Sequence, residues 1–197
     1  MRTAPRPDWT VSAEPYDSPA AVALWRAYYT EVSDRWYQRY ESRDTDPAEL
    51  EREIAADPGD HLAPPGGRLL VGRYRGEPAG MAGVWLADPG TAELTRVYVR
   101  GDLRGTGGAA LLVAAAEDAA RTLGAELLRL DTRTDLVEAR ALYARLGYTE
   151  TEAFSDRLYA EHWFSKDLTA GPAELTPPDR SASRRAGAPR PSRTSPR

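Results

Sequence analysis

Val97-Tyr98-Val99-Arg100-Gly101-Asp102-Leu103-Arg104-Gly105-Thr106-Gly107-Gly108-Ala109 is the stretch on which the reading of this chain turns. An apolar strand runs into a glycine-rich loop. The loop opens an alanine-rich helix, Ala109 to Leu123, which Gly124 stops. Glycines at such a junction let the chain curl until successive N–H groups point into one concavity. The helix start adds unpaired donors and the positive end of its dipole, which makes an anion site suited to phosphates. A purely structural turn uses glycines in the same way. Two familiar phosphate loops are excluded: there is no Gly-Lys-Ser/Thr, and Gly105, Gly107 and Gly108 do not have the spacing Gly-x-Gly-x-x-Gly.

Upstream of this stretch, Ala92 to Arg100 reads as a strand, preceded by the turn Asp88-Pro89-Gly90. Arg68 to Tyr74 and Ala79 to Leu86 flank Arg75-Gly76-Glu77-Pro78 as a hairpin, so three strands form an antiparallel meander. Before them, Ser18-Pro19 caps a helix from about Ala20 to Tyr40, in which Val22, Trp25, Tyr29, Val32, Trp36 and Tyr40 recur at helical spacing. Asp46-Pro47 caps a second helix through about Ala56, and Val11 to Tyr16 is a short first strand. Downstream come a strand at Leu127 to Leu130, a helix from Asp135 to Leu146, and strands at Tyr148 to Glu152 and Tyr159 to Lys166. The fold class is therefore α/β: a mixed sheet in which an antiparallel meander is followed by β-α-β-α-β, flanked by helices.

Arg104, Gly107 and Ala109 match the pattern Arg/Gln-x-x-Gly-x-Gly/Ala. This resembles the acyl-CoA pyrophosphate loop of the GNAT superfamily of N-acetyltransferases. Leu94 to Val99 is similar to the fourth strand of that family, and Ala139 to Tyr148 is similar to its Ala-x-x-Leu-Tyr-x-x-x-Gly-Phe/Tyr helix. The resemblance covers about Val11 to Leu168. It departs at Leu136, where many members have Asn, so that contact is missing or is supplied by another residue such as Asp135.

The resemblance implies acetyl-CoA as co-substrate, with no metal. It places the cofactor along Val97, Tyr98, Val99, Arg104, Gly105, Thr106, Gly107, Gly108 and Ala109, the backbone of Val97 and Val99 pairing with the pantetheine arm. Glu93 takes the place of the family's strand-four glutamate, the base for the amine, and shares a face with Thr95 and Val97 by period two if no bulge intervenes. A solvated glutamate at a strand start is the plain alternative. Tyr143 matches the general acid for the coenzyme A thiolate, and its phenol, ordinarily near 10, suits a thiol near 8 to 9. By its spacing with Leu136, Ala139 and Leu146 it is equally a core tyrosine. Tyr37, Tyr159 and His162 are the candidates for holding the acceptor. Aromatic faces and carboxylates there suit a cationic amine, while Trp25, Tyr29 and Trp36 are expected in the core.

Composition narrows the remaining classes. The chain has 197 residues, 41% hydrophobic and 28% charged, and no cysteine. Disulfides, thiolate metal sites and a cysteine nucleophile are excluded, and with only His61 and His162 no metal cage is expected. The longest apolar run, Ala109 to Ala116, is far short of a membrane span. No apolar stretch follows the first charges, so a cytoplasmic location is expected. The net charge of −4 divides unevenly. The segment 169–197 carries six arginines against Glu174 and Asp179, leaving twenty basic and twenty-eight acidic residues elsewhere. The expected organisation is a flexible segment 1–10, one domain over 11–168, and a disordered Arg/Pro/Ser-rich tail over 169–197. An acidic body disfavours nucleic acid and favours a cationic partner. The expected activity is acetyl transfer to a primary amine of a small molecule, by a monomer or homodimer. A protein N-terminus or lysine as acceptor, or a non-catalytic acyl-CoA-binding module, stays open.

Overall fold

The computed structural model describes residues 8–169. The segments 1–7 and 170–197, with the readings made for them, lie outside the described residues. In chain order the elements are β1 (Trp9–Glu14), α1 (Pro19–Glu41), α2 (Pro47–Ala56), β2 (Gly67–Tyr74), β3 (Glu77–Asp88), β4 (Thr91–Val99), α3 (Gly108–Thr122), β5 (Leu127–Thr132), α4 (Val137–Arg145), β6 (Thr149–Thr151) and β7 (His162–Asp167). Among the described residues one mixed sheet runs in the order β1-β2-β3-β4-β5-β7-β6, and every neighbouring pair is antiparallel except β4 and β5.

Local chemistry sets the helix starts. The Ser18 side chain accepts from the Ala21 N–H at 3.2 Å, and Asp46 accepts from the N–H groups of Ala48 and Glu49 at 2.9 and 3.0 Å. Proline follows each cap, where its missing donor costs nothing. α3 differs: it starts on Gly107 at φ 93° with no side-chain cap, so its first N–H groups stay available.

The sheet has two covered faces. On one, α3 and α4 bury Ala82, Val84, Leu94, Val99, Leu112, Val113, Leu128, Leu130 and Phe164 in the main core. On the other, α1 sets Leu24 and Trp25 against Val71, Met81 and Tyr98.

Two expectations are corrected here. The chain is ordered into the sheet from Trp9, inside the segment expected to be flexible, because β1 pairs along its whole length with Leu69–Tyr74 of β2 and makes the meander four-stranded. The Trp9 ring is buried against Tyr74, and its Nε1 donates to Thr106 Oγ1 at 2.9 Å. Strand one thus anchors the glycine-rich loop. Second, a bulge does interrupt β4: Met81 pairs with Tyr98 but Gly83 with Thr95, so Arg96 and Val97 together oppose Ala82. Arg96 takes the left-handed conformation, φ 54°. The period-two alternation breaks there. Val97 packs on the α3 face, whereas Thr95 and Arg96 both border the cavity under α1.

Candidate active site

β4 and β5 are paired only from Thr91–Leu127 to Glu93–Arg129, and then they part. The V-shaped gap that opens is the centre of the site, and two cavities meet at it.

The first, about 350 Å³, is lined by Val97, Tyr98 and Val99 of β4, by Leu103, Arg104, Gly105, Gly107, Gly108 and Ala109 at the start of α3, and by Leu136, Ala139, Leu142 and Tyr143 beside or on α4. Its upper end is the uncapped helix start, a set of backbone donors beside the Arg104 guanidinium. Arg104 donates to the Val99 carbonyl at 3.2 Å and pairs with Glu31 of α1 at 2.5 Å. Its floor is apolar. An anionic group followed by an uncharged extended arm fits this shape and chemistry.

Of the cofactor residues expected from the sequence, all but Thr106 line this cavity. The Thr106 hydroxyl instead accepts from Trp9 and donates to the Leu103 carbonyl at 2.6 Å, which holds the loop's curvature. Asp135 does not stand in for the family's Asn: its carboxylate is taken by Arg133 at 2.8 Å and Arg35 at 3.7 Å. Tyr143 reaches the cavity from a largely buried position, 6% exposed, in contact with Tyr148 and Phe164. Burial pushes its phenol well above the ordinary value, and its hydroxyl has no hydrogen-bond partner among the described residues.

The second cavity, about 570 Å³, lies between α1, α2 and the segment before β7. Its wall carries Trp25, Tyr28, Tyr29, Trp36, Tyr37, Trp85 and Tyr159, with the carboxylates of Glu49, Glu53, Asp57 and Asp131. Of the helix-one aromatics expected in the core, Trp25 is buried while Tyr29 and Trp36 are half-buried, and all three border the cavity. Tyr37 donates to Glu49, Tyr29 donates to Glu53 at 3.1 Å, and Trp36 packs edge-on to Tyr159 at 5.7 Å. Of the arginines here, Arg96 is committed to Asp57 at 2.6 Å and stacks on Trp25, and Arg133 is committed to Asp135. Tyr28 and Val32 line both cavities and mark where they join.

Tyr37 and Tyr159 are thus brought to this cavity, and His162 is not. The His162 ring sits between Glu150 Oε1 at 2.6 Å and Thr134 Oγ1 at 3.1 Å, away from both cavities. β7 inserts between β5 and β6, which brings it beside Glu150. Glu93 is a second departure. Its side chain is 5% exposed and borders neither cavity, and its Oε1 accepts from Arg129 at 2.9 and 3.1 Å while Arg157 holds Oε2. The solvated-glutamate alternative fails equally. Sequence reading passed over Asp131, Arg157 and Tyr28. The available signal was the charged pair Arg129 and Asp131 alternating with Leu128 and Leu130 in an otherwise apolar strand.

A parted parallel strand pair beside a glycine-rich helix start sets a free backbone edge and an anion site in one gap, which suits an acyl-CoA. The chain belongs to the GNAT acetyltransferase family, whose profile matches residues 23–148. It is 35% identical over 101 residues to an uncharacterized N-acetyltransferase of Schizosaccharomyces pombe, a match covering 50% of this chain and 62% of that one. The chain therefore spans less than two thirds of that relative. Among solved structures it resembles a Klebsiella pneumoniae protein named as an acyl-CoA N-acyltransferase, with TM-score 0.62, 27% identity, and 81% and 97% of the two chains covered. It also resembles the PaiA N-acetyltransferase of Thermoplasma acidophilum in complex with coenzyme A, with TM-score 0.61, 12% identity, and 81% and 98% covered. A third is the YncA acetyltransferase of Salmonella typhimurium with acetyl-CoA, with TM-score 0.58, 18% identity, and 84% and 96% covered.

Proposed function

We propose that this chain is an acetyl-CoA-dependent N-acetyltransferase whose acceptor is a primary amine on a small, cationic, partly apolar molecule. The observation that carries the reading is the meeting of two chemically unlike cavities at Tyr28 and Val32. One offers backbone donors and an apolar trough, which suits pyrophosphate and pantetheine. The other offers aromatic faces and carboxylates, which suit an amine. Two of the structural neighbours were solved with coenzyme A or acetyl-CoA, which supports the first assignment. The acceptor cavity is walled by α1, α2 and the segment before β7, and its volume of about 570 Å³ is on the scale of a small molecule.

Bound acetyl-CoA supplies a thioester carbonyl for attack and a thiolate leaving group. The chain's part is to align, to polarise and to move protons. Backbone groups of Val97 and Val99, on the strand edge left open by the gap, hold the arm and polarise the carbonyl. The amine nitrogen forms the C–N bond as the C–S bond breaks, so one proton must leave nitrogen and one must reach sulfur. Tyr143 supplies the second: burial keeps its phenol protonated across the working pH range.

Release of free thiol across an amine panel, together with stabilisation by acetyl-CoA, tests the reading. A Tyr143→Phe variant should lose turnover about 100-fold at saturating acetyl-CoA, equal to about 2.7 kcal/mol of barrier. Its stability should stay within about 0.5 kcal/mol of the parent, because no protein partner loses a hydrogen bond. Unchanged turnover would reject Tyr143 as the acid. No thiol release with any amine, and no shift with acetyl-CoA, would reject the whole assignment.

A further inference from the structure

We infer that Asp131 on β5, rather than Glu93 on β4, is the carboxylate that takes the proton from the acceptor amine, and that Glu93 acts by positioning Arg157. The inference rests on the transferase reading above.

Glu93 and Asp131 belong to one charged layer on the α1 side of the sheet. Along β5 the residues Leu128, Leu130 and Thr132 are buried, so Arg129 and Asp131 face the other way, where Arg129 meets Glu93. The two carboxylates differ in where they stand relative to the gap. Glu93 is in the last register pair that still joins β4 to β5. Asp131 is two residues beyond it, where β5 pairs only with Trp163 of β7 and its other edge faces the opening. Accordingly Asp131 lines the acceptor cavity and Glu93 does not.

Their hydrogen bonding separates them further. Both Glu93 oxygens are held by guanidinium groups. Asp131 is 19% exposed and receives one bond, from Arg157 Nη1 to Oδ1 at 2.7 Å. Its Oδ2 has no partner among the described residues. A carboxylate fully occupied by arginine is a poor proton acceptor, and one with a lone oxygen on a cavity wall is a competent one.

The groups facing Asp131 come from every surrounding element: Arg157 from the segment before β7, Glu93 from β4, Tyr28 from α1, and Tyr143 from α4. Burial raises the Asp131 carboxyl above its usual range, the Glu93 charge adds to this, and Arg157 opposes both. Asp131 and Tyr28 line the acceptor cavity together, and Tyr28 also lines the cofactor cavity, so Asp131 stands on the wall that leads to the junction where the thioester would lie. The proton balance closes. The bound ammonium first yields one proton to solvent. The neutral nitrogen's lone pair then attacks the carbonyl carbon, its second proton passes to Asp131 Oδ2, directly or through water, and Tyr143 protonates the sulfur as the C–S bond breaks. Solvent then resets both groups.

The test compares parent, Asp131→Asn, Asp131→Glu and Glu93→Gln by thiol release from pH 5.5 to 9, with acetyl-CoA thermal shift measured on each. Asp131→Asn should lower kcat/KM for the amine by about 100-fold or more and flatten the acidic limb, while the acetyl-CoA shift is kept. Asp131→Glu should recover part of the rate and the limb. Glu93→Gln should slow turnover through a loosened Arg157 yet keep the acidic limb. The assignment is overturned if Asp131→Asn keeps the limb and a rate within threefold of the parent, or if Glu93→Gln is the variant that loses the limb. A parent enzyme that releases no thiol and is not stabilised by acetyl-CoA fails at the earlier step, and takes this assignment with it.

Discussion

Replacing Gly108 by alanine tests how the cofactor loop is held. A Cβ built on Gly108 would lie 2.3–2.6 Å from three atoms of the Trp9 ring. No real side chain sits that close, so the ring or the helix start must move. The ring has little freedom: Tyr74 meets it edge-on at 5.5 Å, and Gly72, which faces it, has no side chain to yield. Overpacking of this kind costs about 1–3 kcal/mol. Displacing the ring also strains the bond from Trp9 Nε1 to Thr106, worth about 1 kcal/mol. The better helix propensity of alanine returns at most about 1 kcal/mol. The net loss is therefore about 1–3 kcal/mol, a fall in Tm of roughly 3–10 °C for a domain of this size. Urea unfolding of parent, Gly108→Ala, Trp9→Phe and the double variant measures it, with acetyl-CoA titration alongside. A smaller ring leaves room, so the two substitutions should couple by about 1 kcal/mol or more. Stability within about 0.5 kcal/mol of the parent for Gly108→Ala, with additive effects in the double variant, would refute the claim that β1 braces the loop.

Other consequences can be checked directly. Tyr159→Ala and Glu49→Gln should each raise KM for a cationic amine by about 5- to 30-fold and leave KM for acetyl-CoA unchanged, in proportion to a cation–π contact or charge pair of about 1–2 kcal/mol. Steady-state kinetics with both substrates varied would show it. His61 borders the acceptor cavity, and burial and the nearby Arg96 charge hold its imidazole below the ordinary 6.5. Its folded-state value lies below the unfolded one, so the unfolded chain takes up the proton first as pH falls. The stability linked to neutral His61 is complete above about 6.5 and is lost progressively below it, so Tm measured from pH 7.5 to 5 should fall less steeply in His61→Gln than in the parent.

The readable parts of this protein were those set by local chemistry. Ser18-Pro19 and Asp46-Pro47 started helices where expected, and Gly124 and Gly147 follow the ends of α3 and α4. The glycine-rich loop was legible because few residue types tolerate its backbone. Gly105 and Gly107, at φ 79° and 93°, are such positions. Arg96 was opaque. An arginine at positive φ carries no sequence signature, and the bulge it makes sends Val97 to the opposite face from Thr95. His162 looked like an acceptor contact because it lies near the end of the chain beside Tyr159. His162 opens β7 and turns to Glu150 of the neighbouring β6, whereas Tyr159 lies in the segment before that strand and packs on Trp36.

Residue types and spacing by themselves determined that there would be an anion-binding helix start, a mixed sheet and a tyrosine one turn before a terminating glycine. Those features arise from dihedral limits and periodicities within a few residues. Only the tertiary structure decided which carboxylate meets the cavity. Glu93 and Asp131 are 38 residues apart in the chain. Their roles diverge because β4 and β5 part just after Glu93, while Arg157 crosses from a distant segment to hold both. Where two strands separate is a property of the whole sheet, so no local pattern could have announced it.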